Sequence, residues 1–176
     1  MKILDVGCGV KKYKGGKGDV VIGLDHFKLP GVDVVADLEK GLPLKKNSFD
    51  MVRCSHVLEH IDNAVNLIEE IWRVLKPHGK LVVIVPYRTS GSAYGDITHK
   101  RFFSLRTMDH FIERGEEHYI SKAKFRLTTV TIGFKKWLKP IERMVNSNSG
   151  MQRFYDVYLP YVVPASYIYW ELSAVK

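Results

Sequence analysis

The sequence predicts an α/β fold with a doubly wound, mostly parallel sheet flanked by helices, in which the first helix is short or missing. Three observations support this prediction. Short runs rich in Val, Ile and Leu recur along the chain, one strongly amphipathic helix lies between two of them, and a glycine-rich stretch follows the first run. The chain has 176 residues, of which 45% are hydrophobic, and this is enough material for a single domain.

The first half of the chain contains five predicted strands whose near-continuous apolar residues suit burial on both faces of a parallel sheet. Their ranges are 2–6, 19–24, 32–36, 49–54 and 80–85. Apolar residues at helical spacing predict a helix over 62–75, with Asp62 as its N-cap. Pro77 and Gly79 end that helix before the next strand.

The second half of the chain has a less regular pattern. We predict a Gly/Ser loop at 89–95, a helix at 104–114 and strands at 125–134 and 167–175. An aromatic and basic insert at about 135–166 separates the last two strands. Its prolines, Pro140, Pro160 and Pro164, break it into short pieces.

Charge, cysteine content and hydropathy narrow the class of protein. The formal net charge of +8 suits a nucleic acid, an anionic membrane surface or an anionic substrate. Cys8 and Cys54 are too few and too isolated for a disulfide framework or a cysteine zinc site, and no metal site is expected. The longest apolar runs are too short to span a bilayer, and Asp5 argues against a signal peptide, so we expect a soluble, cytoplasmic protein.

The first strand ends in a turn, Leu4-Asp5-Val6-Gly7-Cys8-Gly9, that allows a ligand to approach the backbone closely. The fingerprint of a nicotinamide cofactor would require glycine at position 12, where the chain has Lys12. The turn therefore indicates a nucleoside site of another kind and makes a nicotinamide oxidoreductase a poor alternative.

Two further acids follow the next two predicted strands. Asp25 follows Gly23-Leu24, and a carboxylate there can accept both ribose hydroxyls of an adenosyl group. The alternative is an aspartate that caps a turn before His26. Asp37 could bind the adenine amine while Leu38 packs on the ring, although an exposed cap explains Asp37 almost equally well.

This ordered set of motifs resembles the class I S-adenosylmethionine-dependent methyltransferases, in particular their small-molecule members. The resemblance covers roughly residues 2–86, and the set as a whole is more specific than any single motif. The segments that carry it are 4–9, 23–25, 37–38, 42–52, 55–60 and 70–81.

The resemblance implies a Rossmann-like methyltransferase fold with S-adenosyl-L-methionine as cofactor and S-adenosyl-L-homocysteine as product. The cofactor-binding half is then 1–86 of a single domain, 1–176, and the acceptor-side half is 87–176. The expected cofactor-binding residues are Asp5, Gly7, Cys8, Gly9, Asp25, His26, Asp37, Leu38, Ser55 and His56.

Two departures from the family pattern affect this expected site. A basic, glycine-rich loop follows Gly9, where relatives have a further glycine and a full helix, and we expect no amino-terminal helical extension before the first strand. The site is therefore expected to be unusually open, or closed by the late insert.

The segment after the fifth strand, residues 86–104, belongs above the carboxyl ends of the strands, where an acceptor would bind. His99 is the candidate for removing a proton, because an imidazole can be neutral and basic near pH 7. The alternative is that His99 and Arg101 hold the loop through hydrogen bonds to the backbone. The expected substrate-binding residues are Tyr87, Tyr94 and Arg101.

We therefore expect methyl transfer to a small-molecule acceptor, which includes lipid-linked and sugar-linked ones. An RNA methyltransferase is the nearest alternative, but Ser55-His56-Val57-Leu58 stands where a base-binding Asn-Pro-Pro-Tyr-type tetrapeptide would be. A non-catalytic adenosyl-binding or scaffold module is a further alternative. The insert is most simply read as helices that cover one face of the sheet, with a lid, a peripheral membrane contact or a nucleic-acid surface as alternatives.

Overall fold

A computed structural model describes residues 1–113 and 120–176 and contains a seven-stranded sheet. Its strands are β1 (Lys2–Val6), β2 (Val20–Asp25), β3 (Val34–Val35), β4 (Phe49–Ser55), β5 (Leu75–Pro86), β6 (Lys124–Gly133) and β7 (Tyr167–Val175). They lie in the order β3-β2-β1-β4-β5-β7-β6. Among the strands that the structure describes, only β7 runs antiparallel to its neighbours, so the expected mostly parallel sheet is confirmed.

Four α-helices accompany the sheet within the described residues. They are α1 (Ala64–Val74), α2 (Gly91–Gly95), α3 (Lys139–Val145) and α4 (Ser149–Tyr158). The predicted long helix is α1, but its N-cap is Asn63 and not Asp62, because the Asn63 side chain accepts a hydrogen bond from the Asn66 amide. The predicted loop at 89–95 contains the short helix α2, which Ser90 caps.

The helix predicted at 104–114 is wrong for its described part, and residue 114 lies outside the described residues. The chain there makes turns and one 3₁₀ turn over Asp109–Phe111. Both flanks are tied to the sheet in bridges, Phe103 to Tyr87 and Ile112 to Phe125. These bridges hold both ends of the segment in extended backbone, and such tertiary contacts override the local helical propensity.

One face of the sheet is packed against helices, and we call it the helix-covered face. A row of register partners across four strands lies on this face and is fully buried. The row consists of Leu4, Val52, Leu81 and Leu172. It shares one core with Leu67 of α1, Val145 of α3 and Tyr155 of α4. The insert therefore forms α3 and α4 on this face, as its simplest interpretation predicts.

The opposite face, which we call the open face, has a different composition. Because side chains alternate along a strand, the next row of register partners points to this face. The row consists of Asp5, Arg53, Val82 and Glu171. Over β1 and β2 this face is covered by the connection at 7–19, which contains no helix. A full first helix is thus absent there, as expected.

No helix in the described part of the chain is both long enough and apolar enough to cross a membrane.

Candidate functional site

The candidate site lies at the edge of the sheet where the parallel strands end. Since β1, β2, β3 and β4 are parallel, their carboxyl ends meet at this edge. The turns after these strands carry the glycines, acids and histidine that the sequence singles out, at Gly7, Asp25, Asp37 and His56.

The turn after β1 has the glycine geometry of a ligand-binding turn. Gly7 has a φ of +64°, and a Cβ there would lie 2.2 Å from Cγ2 of Val57, so only glycine fits. Gly9 has a φ of +52°, and a Cβ there would have no atom within 4 Å. Gly7 therefore allows close packing, while Gly9 borders open space that a ligand can use.

Asp25 connects the first two turns of the site. Its Oδ2 accepts a hydrogen bond from the Gly9 amide at 2.8 Å, and its Oδ1 accepts one from the Phe27 amide at 3.0 Å. A carboxylate offers about four lone-pair sites, so Asp25 keeps accepting capacity for ribose hydroxyls. His26, beside it, is exposed.

Asp5 and Cys8 are both buried beneath the turn. Asp5 is 0% exposed and accepts hydrogen bonds from the Tyr13 amide at 2.7 Å and from Nη1 of Arg53 at 3.0 Å. Burial, followed by the negative charges of Asp5 and Asp25, raises the pKa of the Cys8 thiol. Asp5 thus acts as an anchor that holds the basic loop to β4, a role that depends on Arg53, which sequence reasoning did not single out.

Asp37 and Leu38 differ in their access to a ligand. Oδ1 of Asp37 accepts a hydrogen bond from the Glu39 amide at 3.1 Å; this bond and the nearby Lys40 ammonium lower the pKa of the carboxyl. Asp37 stays half-buried at the surface, as the cap interpretation also expects. Leu38 is 7% exposed and belongs to the core, so it has little surface left for an adenine ring.

Ser55 and His56 lie where two cavities meet. His56 adopts a φ of +56°, and its amide donates to the Ile84 carbonyl at 2.8 Å. The first cavity, about 510 Å³ on the open face, is lined by Arg53, Ser55, His56, Ile84, Thr131, Tyr167 and Tyr169. The second, about 480 Å³, is lined by His56, Glu59, His60, Pro86, Ser92, Gly95, Asp96 and His99. His56 borders both cavities.

The side chain of His99 is 8% exposed and lines the second cavity. Its Nδ1 lies 3.0 Å from the Ala93 carbonyl oxygen. A carbonyl only accepts, so Nδ1 carries a proton in this bond, and in the neutral ring Nε2 keeps a lone pair. His99 therefore holds the loop, as the structural alternative says, and still presents a basic nitrogen.

The three expected substrate-binding residues lie in different environments. Tyr87 is fully buried, donates its hydroxyl to Asp156 and has a pKa raised chiefly by burial, so it offers an acceptor no exposed surface. Tyr94 is 64% exposed and stacks on Phe102. Arg101 donates from Nε to the Ile61 carbonyl at 2.9 Å and so holds the turn before α1.

Glu59 is the buried acid that sequence reasoning did not select as a site residue. It lies in a 3₁₀ turn, Leu58–His60, that precedes α1 and does not begin it. Glu59 is 1% exposed, and its carboxylate accepts no hydrogen bond from the residues that the structure describes. His56 Nδ1 lies 3.3 Å from its Oε1. A signal was present: one acid stands inside the apolar run Val57-Leu58-Glu59-His60-Ile61.

Comparison with known families and relatives supports the resemblance. A family model described as a methyltransferase domain matches residues 4–83. The chain is 38% identical over 96 residues to an uncharacterized protein of Methanocaldococcus jannaschii, a match that covers 50% of this chain and 42% of that protein. It is 35% identical over 109 residues to the mitochondrial ubiquinone biosynthesis O-methyltransferase of Rattus norvegicus, covering 51% of this chain and 32% of that protein. The chain thus spans less than half the length of these two relatives.

Solved structures share the fold over almost the whole chain. A SAM-dependent methyltransferase from Archaeoglobus fulgidus superposes with a TM-score of 0.65 at 18% identity, over 98% of this chain and 85% of that one. At this identity the superposition establishes the fold alone.

Proposed function

Because the chain carries a domain of the class I S-adenosylmethionine-dependent methyltransferases, we propose that it binds S-adenosylmethionine and transfers the methyl group to a small molecule. The observation that carries this proposal is the arrangement of Gly7, Gly9 and Asp25 at one edge of the sheet. Both glycines adopt a positive φ, Gly9 borders open space, and the acid of the next strand accepts a hydrogen bond from the Gly9 amide.

The residues at this edge fit an adenosyl cofactor in most respects. Asp25 would accept the ribose hydroxyls, Asp37 would accept the adenine amine, and Ser55 and His56 would border the methionine end. Leu38 is the exception, because its side chain belongs to the core. The first helix is replaced by the 7–19 loop, which is held by the Asp5–Arg53 pair, so the cofactor groove is more open than a full helix would leave it.

When bound, the cofactor supplies a methyl group on a sulfonium, which is electrophilic without assistance. The chain then has three tasks: to hold the acceptor in line, to exclude water and to take up the proton of a protonated acceptor. His99 is suited to the last task because its Nδ1 is committed to the Ala93 carbonyl and its Nε2 keeps a lone pair.

We propose a small acceptor with an apolar body and a protonated oxygen. The cavity on the open face presents Ile84, Tyr167 and Tyr169 beside Ser55, and such a mixed lining suits an apolar or aromatic ring. The rat relative is named as an O-methyltransferase of ubiquinone biosynthesis, which supports oxygen as the methylated atom. The exposed basic loop at 10–18 leaves nucleic acid as the alternative acceptor.

Calorimetric titration with S-adenosylmethionine and S-adenosylhomocysteine tests the cofactor site. We expect both to bind wild-type protein, and we expect Asp25→Asn to weaken binding by about 1–3 kcal/mol because a charge-assisted hydrogen bond to the ribose is lost. Asn keeps an oxygen that can accept the Gly9 or the Phe27 amide, so the turns should persist.

Asp50→Asn is the matched control, because Asp50 lies near the start of β4, at the opposite edge of the sheet, in an exposed pair with Lys76. Its affinity for both ligands should equal that of wild type. Equal affinity in a folded Asp25→Asn variant would remove the ribose assignment. If folded wild-type protein binds neither ligand, the proposed function fails.

A further inference from the structure

The second cavity contains a cluster of one carboxylate and two histidines for which methyl transfer alone gives no reason. Glu59, His60 and His99 each offer one ligating atom, and these atoms lie within 4.8 Å of one another. Glu59 is 1% exposed, and neither of its oxygens has a hydrogen-bond donor among the described residues. A buried carboxylate without a donor is costly unless a positive charge compensates it.

The proton positions on the two histidines follow from their partners. His99 Nδ1 lies 3.0 Å from the Ala93 carbonyl oxygen, which only accepts, so Nδ1 donates, and in the neutral ring Nε2 has a lone pair. His60 Nδ1 lies 2.9 Å from Oγ1 of Thr98. The Thr98 hydroxyl donates its single proton to Asp96 Oδ1 at 2.6 Å, so it must accept from His60 Nδ1. Nε2 of His60 therefore also keeps a lone pair.

The cluster thus brings together one carboxylate and two imidazole rings, each of which in its neutral form keeps a lone pair on Nε2. We propose that Glu59, His60 and His99 bind a divalent transition-metal ion. Two neutral imidazoles and a carboxylate are a ligand set for such ions. The hydrogen bonds from Nδ1 of His99 to Ala93 and from Nδ1 of His60 to Thr98 are the outer contacts that fix ring orientation in metal sites.

Two neighbouring groups define the surroundings of the proposed ion. His56 Nδ1 lies 3.3 Å from Glu59 Oε1, and Asp96 Oδ2 lies 3.8 Å from His99 Nε2. The competing arrangement is a proton on one imidazole nitrogen, shared with Glu59 in place of a metal. The two arrangements differ in metal binding, because only the proposed ion site binds metal at a one-to-one ratio.

A role for the ion in methyl transfer rests on the proposed function, whereas the binding of the ion to these residues does not. The cluster lines the cavity of about 480 Å³ that His56 also borders, so open coordination positions would face an acceptor there. An acceptor hydroxyl bound to the ion would lose its proton to water more readily. His99 would then serve as a ligand, and its nitrogen would not take up the proton itself.

Cobalt titration of chelator-treated, tag-free protein tests the site without cofactor or acceptor. We expect one Co²⁺ per chain with visible absorption from imidazole ligation, and competition by Zn²⁺. Glu59→Gln, which keeps the side-chain shape, and His60→Ala should each weaken Co²⁺ binding by at least about tenfold. His78→Asn is the control, because His78 lies at the other end of β5 with a φ of +60° that Asn tolerates.

Each outcome decides the proposal. Absence of saturable Co²⁺ binding by folded wild-type protein, or unchanged binding by Glu59→Gln, would overturn it in favour of the shared proton. Loss of binding in His78→Asn would overturn it as well, since the ion would then be held at the surface. Titration of the same samples with S-adenosylhomocysteine separates the two ideas: cofactor binding without Co²⁺ binding refutes only the metal site, and the reverse refutes only the proposed function.

Discussion

The two faces of the sheet differ most clearly along the single strand β7. Residues that point to the helix-covered face, such as Trp170 and Leu172, are buried, whereas those that point to the open face, such as Tyr169 and Glu171, stay partly exposed. The buried set is apolar and belongs to the common core. The partly exposed set is mostly polar or aromatic, and its Tyr167 and Tyr169 border a cavity beside the candidate site.

This difference assigns separate tasks to the two faces. Burial of apolar area on the helix-covered face supplies most of the stability. The open face instead contains ion pairs, Asp5 with Arg53 and Glu171 with Lys80, which contribute less stability but shape the loop and the cavity. Substitutions on the two faces should therefore separate effects on folding from effects on the site.

The largest expected effect comes from truncating a core side chain. Trp170→Ala should lower the free energy of unfolding by about 3–5 kcal/mol, because it removes a fully buried aromatic side chain and leaves a cavity. The matched variant Tyr169→Ala, next to it on the open face, should cost about 1 kcal/mol. Urea unfolding measures both, and Trp170→Phe serves if the alanine variant does not fold. Equal costs for the two alanine variants would contradict the contrast between the faces.

An intermediate effect is expected at the buried anchor of the open face. Asp5→Asn should lower the free energy of unfolding by about 2 kcal/mol, since it weakens a buried ion pair whose Arg53 side chain still reaches solvent. The loop at 7–19 should then be cut faster by trypsin at its lysines. Asp50→Asn, in an exposed pair with Lys76 at the other edge, should leave the loop protected. Unchanged cleavage in Asp5→Asn would show that the loop does not depend on this anchor.

The smallest effect is a pH dependence at the second pair of the open face. The hydrogen bond from Lys80 is the main cause that lowers the pKa of Glu171 from its usual 4.5. A carboxyl with a lower pKa in the folded state stabilises the protein above pH 4.5, and this contribution is lost as the pH falls through the folded-state pKa. Glu171→Gln should cost up to about 1 kcal/mol at pH 7, and this cost should shrink as the pH falls below 4.5. A cost that persists in acid would indicate that packing, and not charge, is responsible.

Most of the sheet could be predicted from the sequence because its strands and α1 depend on local hydrophobic patterns. The strands β1, β2 and β4 appear with small shifts in their ends, and β3 is shortened to Val34–Val35. The fifth strand, predicted at 80–85, begins earlier, because β5 spans Leu75–Pro86. The helix predicted at 104–114 is wrong for its described part because Phe103 and Ile112 pair with distant strands. Such pairing is a long-range property that local propensity does not contain.

In the candidate site, likewise, some residues could be predicted from the sequence, whereas their contacts depend on the tertiary structure. Gly7, Gly9, Asp25 and His99 can be chosen from sequence, because each follows a strand whose end is marked by its pattern. Their partners were decided by the fold. Asp5 meets Arg53 across two paired strands, and His99 meets Glu59 and His60 only because the loop after β5 returns over the end of β4.

The sequence by itself thus determined the mostly parallel sheet, the glycine turn and the acids that point to an adenosyl cofactor. Tertiary structure decided that α3 and α4 cover the same face as α1, that Tyr87 and Leu38 are buried, and that a carboxylate without a hydrogen-bond donor lies against two imidazoles. The physical reason is that strand patterns depend on neighbouring residues, whereas burial and the pairing of polar atoms depend on segments far apart in the chain.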